Sequence, residues 1–225
     1  MSERILPKII VTKEGPYKVF GLKLTHRTPV ETEYGEPVDW VEGPDYEVKG
    51  DIYYLCRCGH SKYKPFCDCT HLEIGFYGPD CADSAPSTQR QKVYQGNDLV
   101  MTDDISFCMD AGFCASRFTD VWEEIKQTAD PEIRQDVILR TWRCPSGRLQ
   151  VFAPPETTLI EPDFEPSVST IPDGPYQVRG GVPIISEESG VEWEVRNRVT
   201  LCRCGQSANM PFCDGTHKRI EFKAP

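Results

Sequence analysis

The stretch Leu201-Cys202-Arg203-Cys204-Gly205-Gln206-Ser207, continued by Pro211-Phe212-Cys213-Asp214-Gly215-Thr216-His217, puts three cysteines and one histidine within sixteen residues. Thiolate and imidazole are ligands of soft or borderline metals. A Cys-x-Cys pair does not readily close on itself as a disulfide, because the Cβ atoms at that spacing point apart. Cys202 and Cys204 are therefore read as facing one metal centre, with Cys213 and His217 completing the shell from the far side of a loop. Pro211 stiffens that loop. Asp214 is placed to cap a short helix that carries His217, and Gly215 lets the backbone pass close to the centre.

The same pattern stands 146 residues earlier, as Leu55-Cys56-Arg57-Cys58-Gly59-His60-Ser61 and Pro65-Phe66-Cys67-Asp68-Cys69-Thr70-His71, with twelve of seventeen aligned positions identical. The repeat extends beyond the ligand loops. Gly15-Pro16-Tyr17-Lys18-Val19 returns as Gly174-Pro175-Tyr176-Gln177-Val178. Each unit reads as a Gly-Pro-Tyr strand, a hairpin of variable length, another strand and the ligand loop. Tyr17 to Cys56 spans 39 positions and Tyr176 to Cys202 only 26, so the first unit carries the longer hairpin. Surface loops tolerate such insertions. Ile9-Ile10-Val11 is a β-branched run ahead of the first unit's Gly-Pro-Tyr.

Both loops resemble the cluster-binding motif of the CDGSH (NEET) iron–sulfur family. The second copy follows the motif throughout; the first departs at Cys69, where the family has glycine. The resemblance implies a 2Fe–2S cluster held by three Cys and one His. It assigns Cys56, Cys58, Cys67 and His71 to one cluster and Cys202, Cys204, Cys213 and His217 to another, with each Cys-x-Cys on one iron and the third Cys and the His on the other. It also implies that the two units pack as a pseudo-symmetric pair, within one chain or between two. On spacing alone a Cys3His structural zinc site stays open. A His ligand coordinates only as the neutral ring, so acid is expected to loosen the outer sites more than an all-Cys site.

Between the units lies a region with its own pattern. Lys92-Val93-Tyr94 and Leu99-Val100-Met101-Thr102 read as a hairpin around Gly96-Asn97. Asp130 as N-cap, Pro131 at the first position and Ile133, Val137, Ile138 and Trp142 on one face predict a helix over 131–142. Cys108-Met109-Asp110-Ala111-Gly112-Phe113-Cys114, followed after that helix by Cys144-Pro145-Ser146-Gly147-Arg148-Leu149, resembles a single-cluster ferredoxin. It also resembles the small divergent mono-cluster ferredoxin domain, with Arg148 where that pattern has alanine. The resemblance implies Cys108, Cys114 and Cys144 as ligands. The central ligand position holds Ala111, which has no donor atom, and within the ferredoxins that substitution goes with a 3Fe–4S cluster. A 4Fe–4S cluster is the alternative if Asp110, Cys69, Cys81 or an outside ligand fills the corner. Buried structural thiols are the plain reading of the same three cysteines.

The organisation expected is a first unit at 1–76, a turn-rich connection at 77–91, a ferredoxin-like domain at 92–152, a Pro-rich spacer at 153–172 holding Pro154, Pro155, Pro162, Pro166 and Pro172, and a second unit at 173–225. The fold class expected is α+β and β-rich: two small β-units plus an α+β insert. Tyr53, Tyr54 and Trp193, near the ligand loops, are read as core packing, and His26 and His60 as exposed.

The formal net charge of −10 disfavours nucleic acid and anionic membranes as partners. The N-terminus lacks a leader pattern, and no run approaches the ~20 apolar residues of a membrane helix. Eleven cysteines then point to a reducing, cytoplasmic setting with thiolates committed to metal. No nucleophile–base pairing, phosphate loop or hydrolytic zinc motif stands out, so a substrate site is not expected. The function expected is electron transfer between redox protein partners. The alternatives are delivery of a cluster to apo iron–sulfur acceptors or redox and pH sensing, and, in another class, a zinc-bound interaction module.

Overall fold

A computed structural model of the chain describes residues 5–154 and 158–225. In the first unit the strands are β1 (Lys8–Val11), β2 (Tyr17–Phe20), β3 (Lys23–Glu31), β4 (Pro37–Asp45) and β5 (Ile52–Leu55), followed by the one-turn helix α1 (Thr70–Glu73). The insert supplies β6 (Lys92–Gln95), β7 (Val100–Asp103), α2 (Val121–Glu124), α3 (Pro131–Arg143), β8 (Leu149–Ala153) and β9 (Thr158–Leu159). The second unit supplies β10 (Ser167–Thr170), β11 (Tyr176–Arg179), β12 (Ile184–Ser186), β13 (Arg198–Leu201) and α4 (Thr216–Arg219). Strand residues outnumber helical ones, 30% to 16%, so the α+β, β-rich class holds. No helix among the described residues is long and apolar enough to cross a membrane.

The two units exchange strands. β1, β2 and β5 form an antiparallel trio, in register Ile9↔Val19 and Val19↔Tyr53. β10, β11 and β13 form the matching trio, in register Val168↔Val178 and Val178↔Val199. Each trio is then extended by the other unit. β12 runs parallel to β1 through Ile9↔Ile184, and β3 runs parallel to β10 through Val168↔Leu24. The donated strand is in each case the one that follows the Gly-Pro-Tyr strand. β4 adds to the outer edge of β3 and is the longer hairpin of the first unit.

The exchange follows from what the strands must bury. Ile9, Val11, Tyr17, Val19 and Leu55 pack in one core with Val168, Tyr176, Val178, Ile184 and Leu201. A buried side chain of this kind contributes about 1.5–3 kcal/mol, and the exchange lets both trios bury their apolar faces in this one core. Tyr17 and Tyr176 meet edge to face at the centre, ring centroids 6.1 Å apart.

The insert has its own core, with Leu99, Met101, Val121, Ile125, Val137, Ile138, Leu149 and Val151 between the sheet β6–β7–β8–β9 and the two helices. Asp130 caps α3 by accepting from the N–H groups of Glu132 and Ile133, with Pro131 behind it. Two buried arginines of the second unit fasten the insert. Arg198 donates to the carbonyls of Thr141 (2.7 Å), Trp142 (3.1 Å) and Leu149 (3.3 Å), and also to the Cys144 carbonyl and the Glu161 carboxylate. Arg196 donates to the Gly147 carbonyl at 2.6 Å and to the Ser87 hydroxyl at 2.8 Å. A buried cation is tolerable only when paired and hydrogen-bonded in this way.

Some expectations need correcting. The stretch 153–172 is not a plain spacer, since it holds β9 and β10, and β10 is central to its sheet. The proline density there hides a Val168-Ser169-Thr170 segment at the position of Ile9–Val11 in the first unit; Pro155 lies outside the described residues. His26 is not exposed. Its Nδ1 sits 2.9 Å from the Thr170 hydroxyl and 3.2 Å from that of Tyr46, under the Tyr46 ring. Tyr53 and Trp193 are buried in the core, whereas Tyr54 is exposed.

Candidate metal centres

Each outer loop closes by the same set of bonds, and these account for the motif residues that carry no donor to a metal. In the first loop Cys56 N–H donates to the Pro65 carbonyl (2.8 Å) and Cys67 N–H to that of Tyr54 (2.9 Å). In the second, Cys202 N–H donates to Pro211 (2.8 Å) and Cys213 N–H to Thr200 (2.9 Å). Ser61 and Ser207 hydroxyls bind the Phe66 and Phe212 carbonyls at 2.7 and 2.6 Å. Asp68 accepts from the N–H groups of Lys62 (2.8 Å) and Thr70 (3.0 Å), and Asp214 from those of Ala208 (2.9 Å) and Thr216 (3.0 Å). The aspartate thus bridges the two arms of the loop and receives the first turn of the short helix. The N-cap position itself falls on the next residue, Cys69 in α1 and Gly215 in α4, in the left-handed region.

The donors come together in pairs. Cys56 and Cys58 sulfurs are 3.8 Å apart, and Cys67 Sγ lies 3.4 Å from His71 Nδ1. In the second loop the distances are 3.8 Å for Cys202 and Cys204 and 3.3 Å for Cys213 and His217 Nδ1. No group of three or more Cys, His, Asp or Glu side chains converges on a single point among the described residues. A Cys–Cys pair together with a Cys–His pair is a donor set that fits a soft or borderline metal centre.

The electrostatics also fit a cationic centre. The Cys58 hydrogen bond draws the Cys56 thiol downward against the effect of burial, and N–H groups of Ser61 and Gly59 point at the same sulfur. Cys202 is lowered likewise, by Cys204 and then by the N–H groups of Ser207, Gly205 and Gln206. Burial pushes Cys213 well up and His217 down, the neighbouring Lys218 charge adding to the latter. A neutral imidazole is the form a metal requires, and a thiol held up by burial would ligate only as the thiolate that a bound cation draws out. The second site is the drier one: Cys213 and His217 are buried, while Cys67 and His71 are half-exposed.

Sequence reading missed the residues that brace these loops. Tyr17 of the first unit donates to the carbonyls of Cys202 (2.8 Å) and Pro211 (3.1 Å), while Tyr176 donates to those of Cys56 (3.0 Å) and Pro65 (2.9 Å). Arg57, between the first two cysteines, donates to the carbonyls of Gly15 (2.8 Å) and Thr12 (2.9 Å), and Arg203 to that of Ile171 (3.3 Å). Both arginines are 1% exposed. The available signal was the repetition of Arg and of Gly-Pro-Tyr in both copies. Gly59 and Gly205 complete the contact: a Cβ on Gly59 would fall 2.5 Å from the Cys204 carbonyl oxygen, and one on Gly205 2.4 Å from that of Cys58.

In the insert, Cys108, Cys114 and Cys144 line one cavity of about 90 Å³ together with Ala111, Phe113 and Arg148. Burial, and then Cys144, push the Cys114 thiol up to about 11. Arg148 donates to Cys108 Sγ at 3.2 Å. Asp110 also lines the cavity, with its carboxylate 3.5 Å from Lys218. Cys69 and Cys81 do not line it; both are exposed. The middle and second sites share a wall, where Met109 packs on Cys213 and Gly215 lies against Met109 and Asp110. A cavity of about 330 Å³, bounded by Trp40, Ala111, Phe113, His217 and Lys218, opens over that wall.

Comparison with known families assigns the same three regions. Residues 14–72 and 173–218 match the family described as iron-binding zinc finger, CDGSH type. Residues 94–154 match the family described as divergent 4Fe–4S mono-cluster. No curated protein and no solved structure matches the chain.

Proposed function

Since residues 14–72 and 173–218 belong to the CDGSH iron–sulfur family and residues 94–154 to the divergent mono-cluster family, we propose that this iron–sulfur protein is a three-centre electron carrier. Cys56, Cys58, Cys67 and His71 hold one 2Fe–2S cluster, and Cys202, Cys204, Cys213 and His217 a second. Cys108, Cys114 and Cys144 hold a 3Fe–4S cluster, or a 4Fe–4S cluster if Asp110 or an outside ligand occupies the corner that Ala111 leaves open. When bound, such clusters supply one-electron chemistry that side chains do not. The chain sets their ligand type, burial and hydrogen bonding.

The observation that carries this reading is contiguity. The first and second loops meet at Gly59 and Gly205, and the second and middle sites meet at Met109 and Cys213. The second loop thus adjoins both of the others, and that adjacency supports a relay. Redox proteins are the proposed partners and a reducing cytoplasm the proposed compartment, with the exchanged strands making one chain its own pseudo-dimer. A purified sample should hold iron and acid-labile sulfide in place of zinc, and low-temperature EPR should count three centres. Zinc without sulfide would refute the reading.

Cluster delivery is the second reading, favoured by the half-exposed Cys67 and His71. Mixing with an apo-acceptor separates the two. Electron exchange with iron and sulfide retained, the visible absorbance returning on reoxidation, supports the carrier; transfer of iron and sulfide from the first site supports delivery.

A further inference from the structure

Arg148 is held over the middle cavity by partners that leave its guanidinium little freedom. Its Nε and one terminal nitrogen bind the two carboxylate oxygens of Asp103, at 2.6 and 2.8 Å. The other terminal nitrogen donates to Cys108 Sγ at 3.2 Å. Trp122 closes the set: its Nε1 donates to Asp103 at 3.0 Å, and its ring centroid lies 5.2 Å from the guanidinium carbon. The side chains are 13% exposed for Arg148 and 5% for Asp103. A bidentate Arg–carboxylate fork of this kind fixes direction as well as distance. The third arm is thereby aimed at a sulfur.

We propose that Arg148 is a positioning residue that raises the reduction potential of the middle centre through its N–H bond to Cys108, with Asp103 and Trp122 setting its aim. The proposal rests on the middle-cluster reading above. One-electron reduction adds negative charge that is shared with the cysteine sulfurs. A cationic donor at one sulfur stabilises the reduced form more than the oxidised form. Alanine at this position, as in the mono-cluster pattern, offers no such bond. The arginine is thus a feature of this chain beyond the ligand set.

The test is an EPR-monitored redox titration of the full-length protein with dithionite as the electron donor, comparing wild type, R148M and R148K. In R148M the oxidised-to-reduced ratio of the middle centre at a fixed potential should rise on the order of tenfold, about 59 mV for one electron, with both outer centres unmoved. R148K keeps the charge without the fork and should shift less. An intact middle signal at the wild-type potential in R148M overturns the proposal. If R148M does not assemble the centre, R148K decides: a ratio raised about threefold supports the proposal and an unchanged ratio overturns it. A wild-type protein with no third signal overturns the middle-cluster reading itself, and so is distinguished from failure of the Arg148 proposal alone.

Discussion

The phenol hydroxyl of Tyr17 donates to the carbonyl of Cys202, 185 positions along the chain, at 2.8 Å, so a residue of the first unit holds the ligand loop of the second. Tyr176 makes the reciprocal bond to Cys56. Removing such a buried donor takes the partner from the cysteine carbonyl, at a cost of about 1–3 kcal/mol, while the proline carbonyl keeps its bond from the cysteine N–H. The expected outcome is crossed. Y17F should speed loss of the second site's cluster and Y176F that of the first, followed by site-resolved EPR during incubation with a chelator. Loss at the site in the mutated unit itself would contradict the exchange of strands.

Gly59 and Gly205 lie back to back, each against the other loop's backbone. An alanine at 59 would have φ +81° and a Cβ 2.5 Å from the backbone carbonyl oxygen of Cys204. The left-handed penalty alone is roughly 1–2 kcal/mol, and overpacking adds a further 1–3 kcal/mol or so. Gly35 separates the two terms, having φ +75° with nothing within 4 Å of the added Cβ. Urea unfolding of holo protein should show G59A and G205A clearly less stable than G35A. Equal losses for all three would mean that the loops do not press on each other.

Asp104 gives the insert a titratable joint. It accepts from the hydroxyls of Ser87 and Ser106, both at 2.6 Å, and from Arg90 at 3.0 Å. Burial pushes its carboxyl up, but the Ser106 and Ser87 bonds and the Arg90 charge outweigh burial and hold it below its ordinary value. A depressed carboxylate contributes stability above the unfolded value, near 3.9, and that contribution disappears as pH falls through the folded value. D104N should be about 1.5–3 kcal/mol less stable than wild type at pH 7, with the gap closing below about pH 4. Urea midpoints of the two proteins at pH 7, 5 and 3 measure it. A gap that widens in acid would reverse the assignment.

The ligand loops were legible because the motif repeats and because its members act on their near neighbours in the chain. Ser61 and Asp68 close the loop, and Pro65 turns it. The helix α3 was legible from its cap and its spaced apolar face. What stayed hidden was long-range. That β3 pairs with β10, and β12 with β1, depends on which hydrophobic faces meet, and local periodicity carries no such information. β10 was further masked by the surrounding prolines. Arg198 reads as an ordinary strand residue until the insert's carbonyls are placed around it. Arg148 was visible as a departure from a pattern, but its aim at Cys108 required Asp103 and Trp122 in space.

Cys69 marks where the two copies differ in strain. It occupies φ +69°, and its counterpart Gly215 has φ +83°. Its N–H lies 3.4 Å from Cys67 Sγ, and its own side chain is exposed. The left-handed penalty of roughly 1–2 kcal/mol exceeds the extra unfolded-chain entropy that glycine brings, about 0.4–1 kcal/mol. C69G should therefore gain a few tenths to about 1 kcal/mol in stability and leave the first site's EPR signal and potential unchanged, because the backbone N–H is kept. Thermal unfolding and a redox titration of C69G check both parts. A stabilised protein with an altered first-site potential would show that the Cys69 thiol acts on that centre, and a destabilised one would show that its exposed side chain makes a contact worth more than the backbone strain.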